Sequence, residues 1–304
     1  MATVARAPRP RWRRPSSFVV VVALALLIYY MLFFTAPFIA ALVIGFLNWD
    51  LLSTVVPVGF DNYVAMADDR TFKNALKVSA IFVGAYVPIA LSAQLILGAI
   101  LANMRTLPQK VYLTLFFLPV VTPWLIAVLM FGYLFNTQAG LPGMLNDIFG
   151  ALGIDTSFVN PLGSKDTALL GIMGMTGWKF LGFGALIFLV GINEIPLTLY
   201  EAARIDGAGA VRQFRHITWP LIRPIMLALS ITSFIGALQI FDPFFVMTRG
   251  GPGDATNVFS LYLYRQAFDQ FRFGYASAMA MVMFLILLIL SVSQLAIART
   301  RWEY

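Results

Sequence analysis

Six uninterrupted apolar stretches constrain this chain more than any other feature of its sequence. They run near Phe18 to Ile44, Ala75 to Leu101, Val111 to Phe135, Thr167 to Ile192, Leu221 to Met247 and Gly274 to Ala298. A helix crosses a hydrocarbon layer of about 30 Å with about 20 residues, and each stretch is long enough. Lipid offers no partner to exposed backbone N–H and C=O groups, so the crossing segments are helices or a closed barrel. A barrel would alternate polar and apolar residues, which these stretches do not do. With 60% hydrophobic and 12% charged residues and a mean hydropathy of +0.83, the chain lacks the polar surface of a soluble domain. The fold class is therefore an all-α membrane protein with six transmembrane helices. No separate soluble domain and no internal repeat is evident. The chain divides into a basic tail at 1–17, a membrane domain at 18–298 and a short tail at 299–304.

A net charge of +7 raises the question of nucleic acid, but the basic residues sit at span boundaries and not on one soluble face, which excludes that partner. Their placement gives orientation instead. Arg6, Arg9, Arg11, Arg13 and Arg14 precede the first span, Arg105 and Lys110 follow the second, and Arg204, Arg212, Arg215 and Arg223 follow the fourth, while Arg299 and Arg301 end the chain. The alternate connections are richer in acid, with Asp50, Asp61, Asp68 and Asp69, then Asp147, Asp155 and Asp166, then Asp254 and Asp269. Both termini are thus expected in the cytoplasm. The apolar run after Arg14 is too long for a signal peptide and lacks a clear cleavage site, so it is read as a retained helix.

The connection Ile195 to Pro224 reads IPLTLYEAARIDGAGAVRQFRHITWPLIRP. Pro196 suits a first helical turn, Tyr200 to Asp206 suit a short helix, and Gly207 and Gly209 suit its end. A second helix follows from about Ala210, with Phe214, Ile217 and Leu221 at helical spacing, before Pro220 and Pro224 lead into the fifth span. Leu197, Leu199, Tyr200, Ala202, Ala203 and Ile205 give this hairpin more apolar surface than a connector needs, which calls for a partner that covers it. Small Ala202 and Ala203 allow close approach, and Glu201 offers a carboxylate to a basic group.

Glu201, Ala202, Ala203, Asp206, Gly207, Ala208, Phe214, Ile217 and Pro220 stand in the pattern of the EAA motif, and the chain resembles the permeases of binding-protein-dependent ABC transporters. Trp219 stands where that family often has leucine. Phe241, Asp242, Met247, Thr248, Gly250, Gly251, Pro252 and Thr256, then Tyr264, Ala267, Phe268, Gly274 and Ala278, together with Pro37, Gly59, Asn62 and Tyr63, resemble the carbohydrate-uptake members, most closely the first permease of maltose, lactose and glycerol-3-phosphate systems. The resemblance implies a cytoplasmic coupling helix in which Tyr200, Glu201, Ala202, Ala203, Asp206, Gly207, Ala208 and Pro220 carry the contact to an ATPase. It also implies a second homologous permease, two ATP-binding subunits, an external solute-binding protein and a place in the prokaryotic inner membrane. The cargo would be a sugar, a polyol or a glycerophosphodiester.

The chain has no G-x-x-x-x-G-K-[ST] sequence, no cysteine and one histidine, His216, so no P-loop, thiolate nucleophile or metal site is expected, and the chain is not read as an enzyme. No cofactor is expected on it; ATP and magnesium belong on the partner ATPases. Transport-path candidates are the polar or aromatic residues inside spans: Trp178, Lys179, Gln239, Phe241 and Asp242. An ionisable group at such depth faces protein or water. Lys179 either lines a cavity or forms a structural pair, with Asp242 one possible partner. Pro88, Pro119, Pro123 and Pro243 are candidate kinks. An ion-coupled secondary transporter or a membrane scaffold is the competing reading, and the hairpin disfavours both because neither needs an ATPase-docking element.

Overall fold

The computed structural model describes residues 16–138, 140–150 and 160–299. The tail called at 1–17 therefore lies outside the described residues except for its last two, as do 300–304 of the C-terminal tail. Among the described residues, five helices are long and apolar enough to cross a membrane, and a bent pair makes a sixth.

The first span runs as Ser17–Tyr30, a wide π turn Met31–Thr35 and Ala36–Ile44. Ser16 caps it by accepting the Val19 N–H. None of its residues is buried in the chain, and its apolar character all round is that of a helix meant for lipid or for another subunit. Two-residue strands, Leu47–Asn48 and Val56–Pro57, pair antiparallel beyond it. Asn62, in the short helix Asp61–Asp68, holds the corner by donating to the carbonyls of Gly45 at 3.0 Å and Leu47 at 2.9 Å.

The second span, Arg70–Ala102, starts on Asp69, whose carboxylate accepts the N–H groups of Thr71 and Phe72 at 2.8 and 3.1 Å. That carboxylate also accepts the hydroxyls of Tyr262 and Tyr275 at 2.6 and 2.7 Å, which ties the start of span two to the helix Phe259–Tyr264 and to the start of the last span. Burial pushes the Asp69 pKa up, but the tyrosine and backbone hydrogen bonds together outweigh it and hold the group below the usual carboxylate range.

The third span departs from the continuous helix expected over Val111 to Phe135. Thr106–Val121 and Trp124–Leu134 meet at 95°. Pro123 is the cause: it has no N–H for the Pro119 carbonyl, and its ring disfavours helical backbone in Thr122, which takes φ −60° and ψ 131°. Pro88 and Pro224, by contrast, lie inside helices without ending them.

The fourth span, Ala168–Asn193, is the centre of the packing. Lipid supplies no hydrophobic drive between helices, so close approach through small residues must hold them. Against span two, a Cβ on Gly98 would lie 2.8 Å from that of Phe188. Against span three, a Cβ on Gly182 would overlap the Phe116 carbonyl oxygen. Span five, Trp219–Gln239, closes the core, where Phe82, Phe188, Phe244, Ile172 and Ile222 are fully buried. The chain then passes through Phe244–Thr248, Phe259–Tyr264 and Arg265–Asp269 to the sixth span, Phe273–Arg299, which packs on Ala36–Ile44. In the connection between spans three and four, Leu141–Gly150 is a short helix, and 151–159 lie outside the described residues.

Candidate functional site

Two places combine unusual chemistry with unusual exposure. The first is the hairpin between spans four and five. Its first helix, Leu197–Ile205, begins on Pro196 and ends where Gly207 takes φ +76°. The Ala208 N–H bonds the Ala203 carbonyl at 2.8 Å and the Gly207 N–H bonds the Arg204 carbonyl at 3.0 Å, the paired bonds of a Schellman motif. The glycine is needed for its left-handed backbone, and the motif brings Ala203 and Ala208 to its two ends, where small residues pack without projecting. The spacing of Glu201, Ala202, Ala203, Asp206, Gly207 and Ala208 thus has a local physical reason.

The chain reverses at Gly209 and becomes helical again at Ala210–Gln213, then runs through the π turn Phe214–Thr218 into span five, with Pro220 in that helix's first turn. Tyr200 and Thr218 share a hydroxyl hydrogen bond of 2.8 Å, and Gln213 Nε2 donates to the Ala208 carbonyl at 2.8 Å. These bonds brace the two arms. Outward, Leu197, Ile205 and Val211 are 71%, 87% and 83% exposed, and Glu201 stands exposed beside them. A 340 Å³ cavity lies behind the hairpin, between Tyr200, Arg204, Gln213 and the C-terminal ends of spans two and four at Asn103 and Asn193.

The second place is a cavity of 610 Å³ among spans two to five, whose lining includes Tyr86, Gln94, Trp124, Phe180, Thr232 and Asp242. Of the transport-path candidates, Gln239, Phe241 and Asp242 line it, while Trp178 and Lys179 do not. Thr176, Phe180 and Phe183 share its wall at helical spacing, and Trp178, two residues from Thr176, falls on the opposite side of the helix. There it packs on Phe131 with ring centroids 5.0 Å apart and borders a separate space of 280 Å³.

Lys179 is 4% exposed and serves the break in span three. Its ammonium donates to the carbonyls of Pro119 at 2.5 Å, Val120 at 3.1 Å and Thr122. Pro123 cannot bond Pro119, and the chain turns before Trp124 can bond Val120, so the three protons of the lysine replace helical donors that the break removes. Asp242 is therefore not its partner. The Asp242 carboxylate instead accepts Trp124 Nε1–H at 2.7 Å, and the indole lies 5.5 Å from the Phe180 ring. Trp124 escaped the sequence reading because only the break aims it inward. Gln94 left a clearer sign, an amide within a long apolar run.

The comparisons with known proteins give the family. Residues 94–302 match the family described as binding-protein-dependent transport system inner membrane component. The lactose transport system permease protein LacF of Rhizobium radiobacter is 31% identical over 271 residues, covering 88% of each chain. The diacetylchitobiose uptake system permease protein NgcF of Streptomyces coelicolor is 34% identical over 291 residues, covering 90% of this chain and 81% of that one. Among solved structures, a bacterial alginate ABC transporter in complex with its alginate pentasaccharide-bound periplasmic protein contains a chain of similar fold, with a TM-score of 0.81 at 20% identity, covering 93% of this chain and 94% of that one. The match runs from the end of span two through the hairpin and spans three to six, and the chain belongs to the binding-protein-dependent transport system inner membrane components, the permease subunits of ABC importers.

Proposed function

We propose that this permease forms one membrane half of an importer that carries a sugar or a close chemical relative inward, at the expense of ATP hydrolysed by separate subunits. The observation that supports it most is a hairpin with exposed apolar residues, braced on itself and continuous with the two helices that wall the 610 Å³ cavity. The hairpin offers Leu197, Ile205 and Val211 to a cleft on an ATP-binding subunit, with Glu201 for a basic group there. The cavity offers hydroxyl-rich cargo a carboxylate, two amides, hydroxyls and the aromatic faces of Trp124, Phe180 and Phe241. Sugar substrates of the relatives, lactose and diacetylchitobiose by name, favour the same class.

The complete machine would hold a second permease, two ATP-binding subunits carrying ATP and magnesium, and an external solute-binding protein. Both termini and the hairpin would face the cytoplasm. The chain contains no cysteine, so single cysteines report sidedness directly. With an impermeant maleimide, Asp254→Cys should label in cells with an intact inner membrane and Ala208→Cys only after that membrane is opened; the reverse pattern would reject the orientation. Sugar-stimulated ATPase activity of the reconstituted importer, lost when the hairpin is altered, tests the function itself. Sugar uptake without ATP would refute it.

A further inference from the structure

The charge inventory of the large cavity narrows its cargo. Asp242 is the only charged side chain in the lining, and no lysine, arginine or histidine joins it. Among the described residues Lys179 is the one charged side chain buried in the chain, and its three protons are engaged by Pro119, Val120 and Thr122. Among the described residues no cation is thus left to meet an anion there.

The same walls are supplied with acceptors. One oxygen of Asp242 takes the Trp124 indole proton, and the other has no partner among the described residues. Gln94 Nε2 donates to the Phe180 carbonyl at 3.2 Å, and its Oε1 is enclosed in the protein beside Gly184. Thr232 turns its hydroxyl back to its own helix. The free Asp242 oxygen, with the Gln239 amide and the Ser233 hydroxyl in the same lining, suits a ligand rich in hydroxyl groups, which both donate and accept. A like charge close to Asp242 in a site walled by Trp124, Phe180, Phe183 and Phe241 is penalised by poor screening.

We infer that this half of the importer selects neutral or amino sugars and rejects acidic ones, with Asp242 as the residue that discriminates. The inference rests on the cavity being the sugar path. It removes the glycerophosphodiester from the candidate cargoes and keeps neutral sugars and polyols. Trp124 acts as a positioning residue, holding the carboxylate toward the aromatic walls without itself carrying the charge discrimination.

The test uses the complete importer in lipid nanodiscs without its external binding protein, so that the membrane site alone is read. Calorimetry would compare maltose, lactose, cellobiose and diacetylchitobiose with 6-uronate counterparts and with a 2-amino-2-deoxy disaccharide. In the wild type the best-bound neutral disaccharide should bind at least tenfold more tightly than its uronate, and the amino sugar should bind no worse than the neutral one. Asp242→Asn should reduce the neutral-to-uronate ratio to less than threefold, whereas Trp124→Phe should weaken both and keep the ratio. A wild-type ratio near one overturns the inference without any variant having to fold, and so does an unchanged ratio in an assembled Asp242→Asn importer. If no sugar of any charge binds, the sugar path itself is refuted and the selectivity falls with it.

Discussion

The break in span three and the turn of the hairpin between spans four and five both end a helix abruptly, and they satisfy the exposed carbonyls by opposite means. At Asp206 to Gly209 the chain does so locally, with the N–H groups of Gly207 and Ala208 folding back on Arg204 and Ala203. At Thr122 and Pro123 it borrows a lysine 57 residues further along the chain from Thr122. The hairpin can therefore face water and a partner with its backbone already satisfied. The break depends on one side chain from another helix, and in the apolar interior nothing else replaces it. The exposed hairpin turn is self-sufficient; the bend beside the cavity is held by its neighbours.

Several experiments would break or sharpen this contrast. Lys179→Met should have the largest effect, since it orphans three carbonyls at about 1–3 kcal/mol each; a loss of about 3 kcal/mol or more is expected in thermal unfolding of the detergent-solubilised complex. A loss below about 1 kcal/mol would mean that the break does not need the lysine. Ile205→Ser should leave the permease's own stability unchanged and weaken retention of the ATP-binding subunits by about 2 kcal/mol, the scale of a large apolar side chain covered on docking. Equal copurification with wild type would show that this face is not the docking surface. Gly207→Val should strain the turn by about 1–2 kcal/mol, because φ is +76° although no atom lies within 4 Å of a new Cβ. Gly207→Asn, which tolerates that backbone, should restore subunit retention and coupled ATPase activity; if both variants behave alike, backbone conformation is not what the position supplies.

Trp124→Phe removes the bond to Asp242 and should lower apparent sugar affinity about fivefold, near 1 kcal/mol, with subunit association unchanged. The smallest effect extends the contrast to a helix start. Asp69 has a lowered pKa in the folded chain, so its contribution is present above the ordinary carboxylate range near about 4 and is lost as pH falls through the lowered value. Asp69→Asn should flatten the acid limb of stability measured below about pH 5, through the ordinary carboxylate value and beneath it. An acid limb identical to wild type would assign that limb to other groups.

The same contrast decides what the sequence could reveal. The hairpin was legible because its signals are local: Gly207 marks the left-handed turn, and the alanines mark where side chains must stay small. Span boundaries were legible for the same reason, since hydropathy is a property of consecutive residues. The angle of the break was not, because Pro123 announces a kink without saying which group will satisfy Pro119. Trp124 and Asp242, 118 residues apart, meet only because Trp124–Leu134 packs against the Phe244–Thr248 turn that follows span five. Lys179 was visible as costly, but its depth alone left a path-lining role and a structural role equally open. Trp178 was a candidate as an aromatic residue inside a span, and which side of the helix it takes depends on the wheel, on which Thr176, Phe180 and Phe183 make the cavity wall.

The braced hairpin also has a mechanical meaning. Three residues, Glu194 to Pro196, separate span four from the first hairpin helix, and four more, Asp206 to Gly209, separate that helix from one that runs through Gln213 and Thr218 into span five. With Tyr200 tied to Thr218, the joint has little compliance. A push on its tip would not be dissipated as loop motion. It would arrive as displacement at spans four and five, and span four, seated through Gly98 against span two and through Gly182 against span three, would act as the stiff member of a lever whose short arm lies outside the membrane.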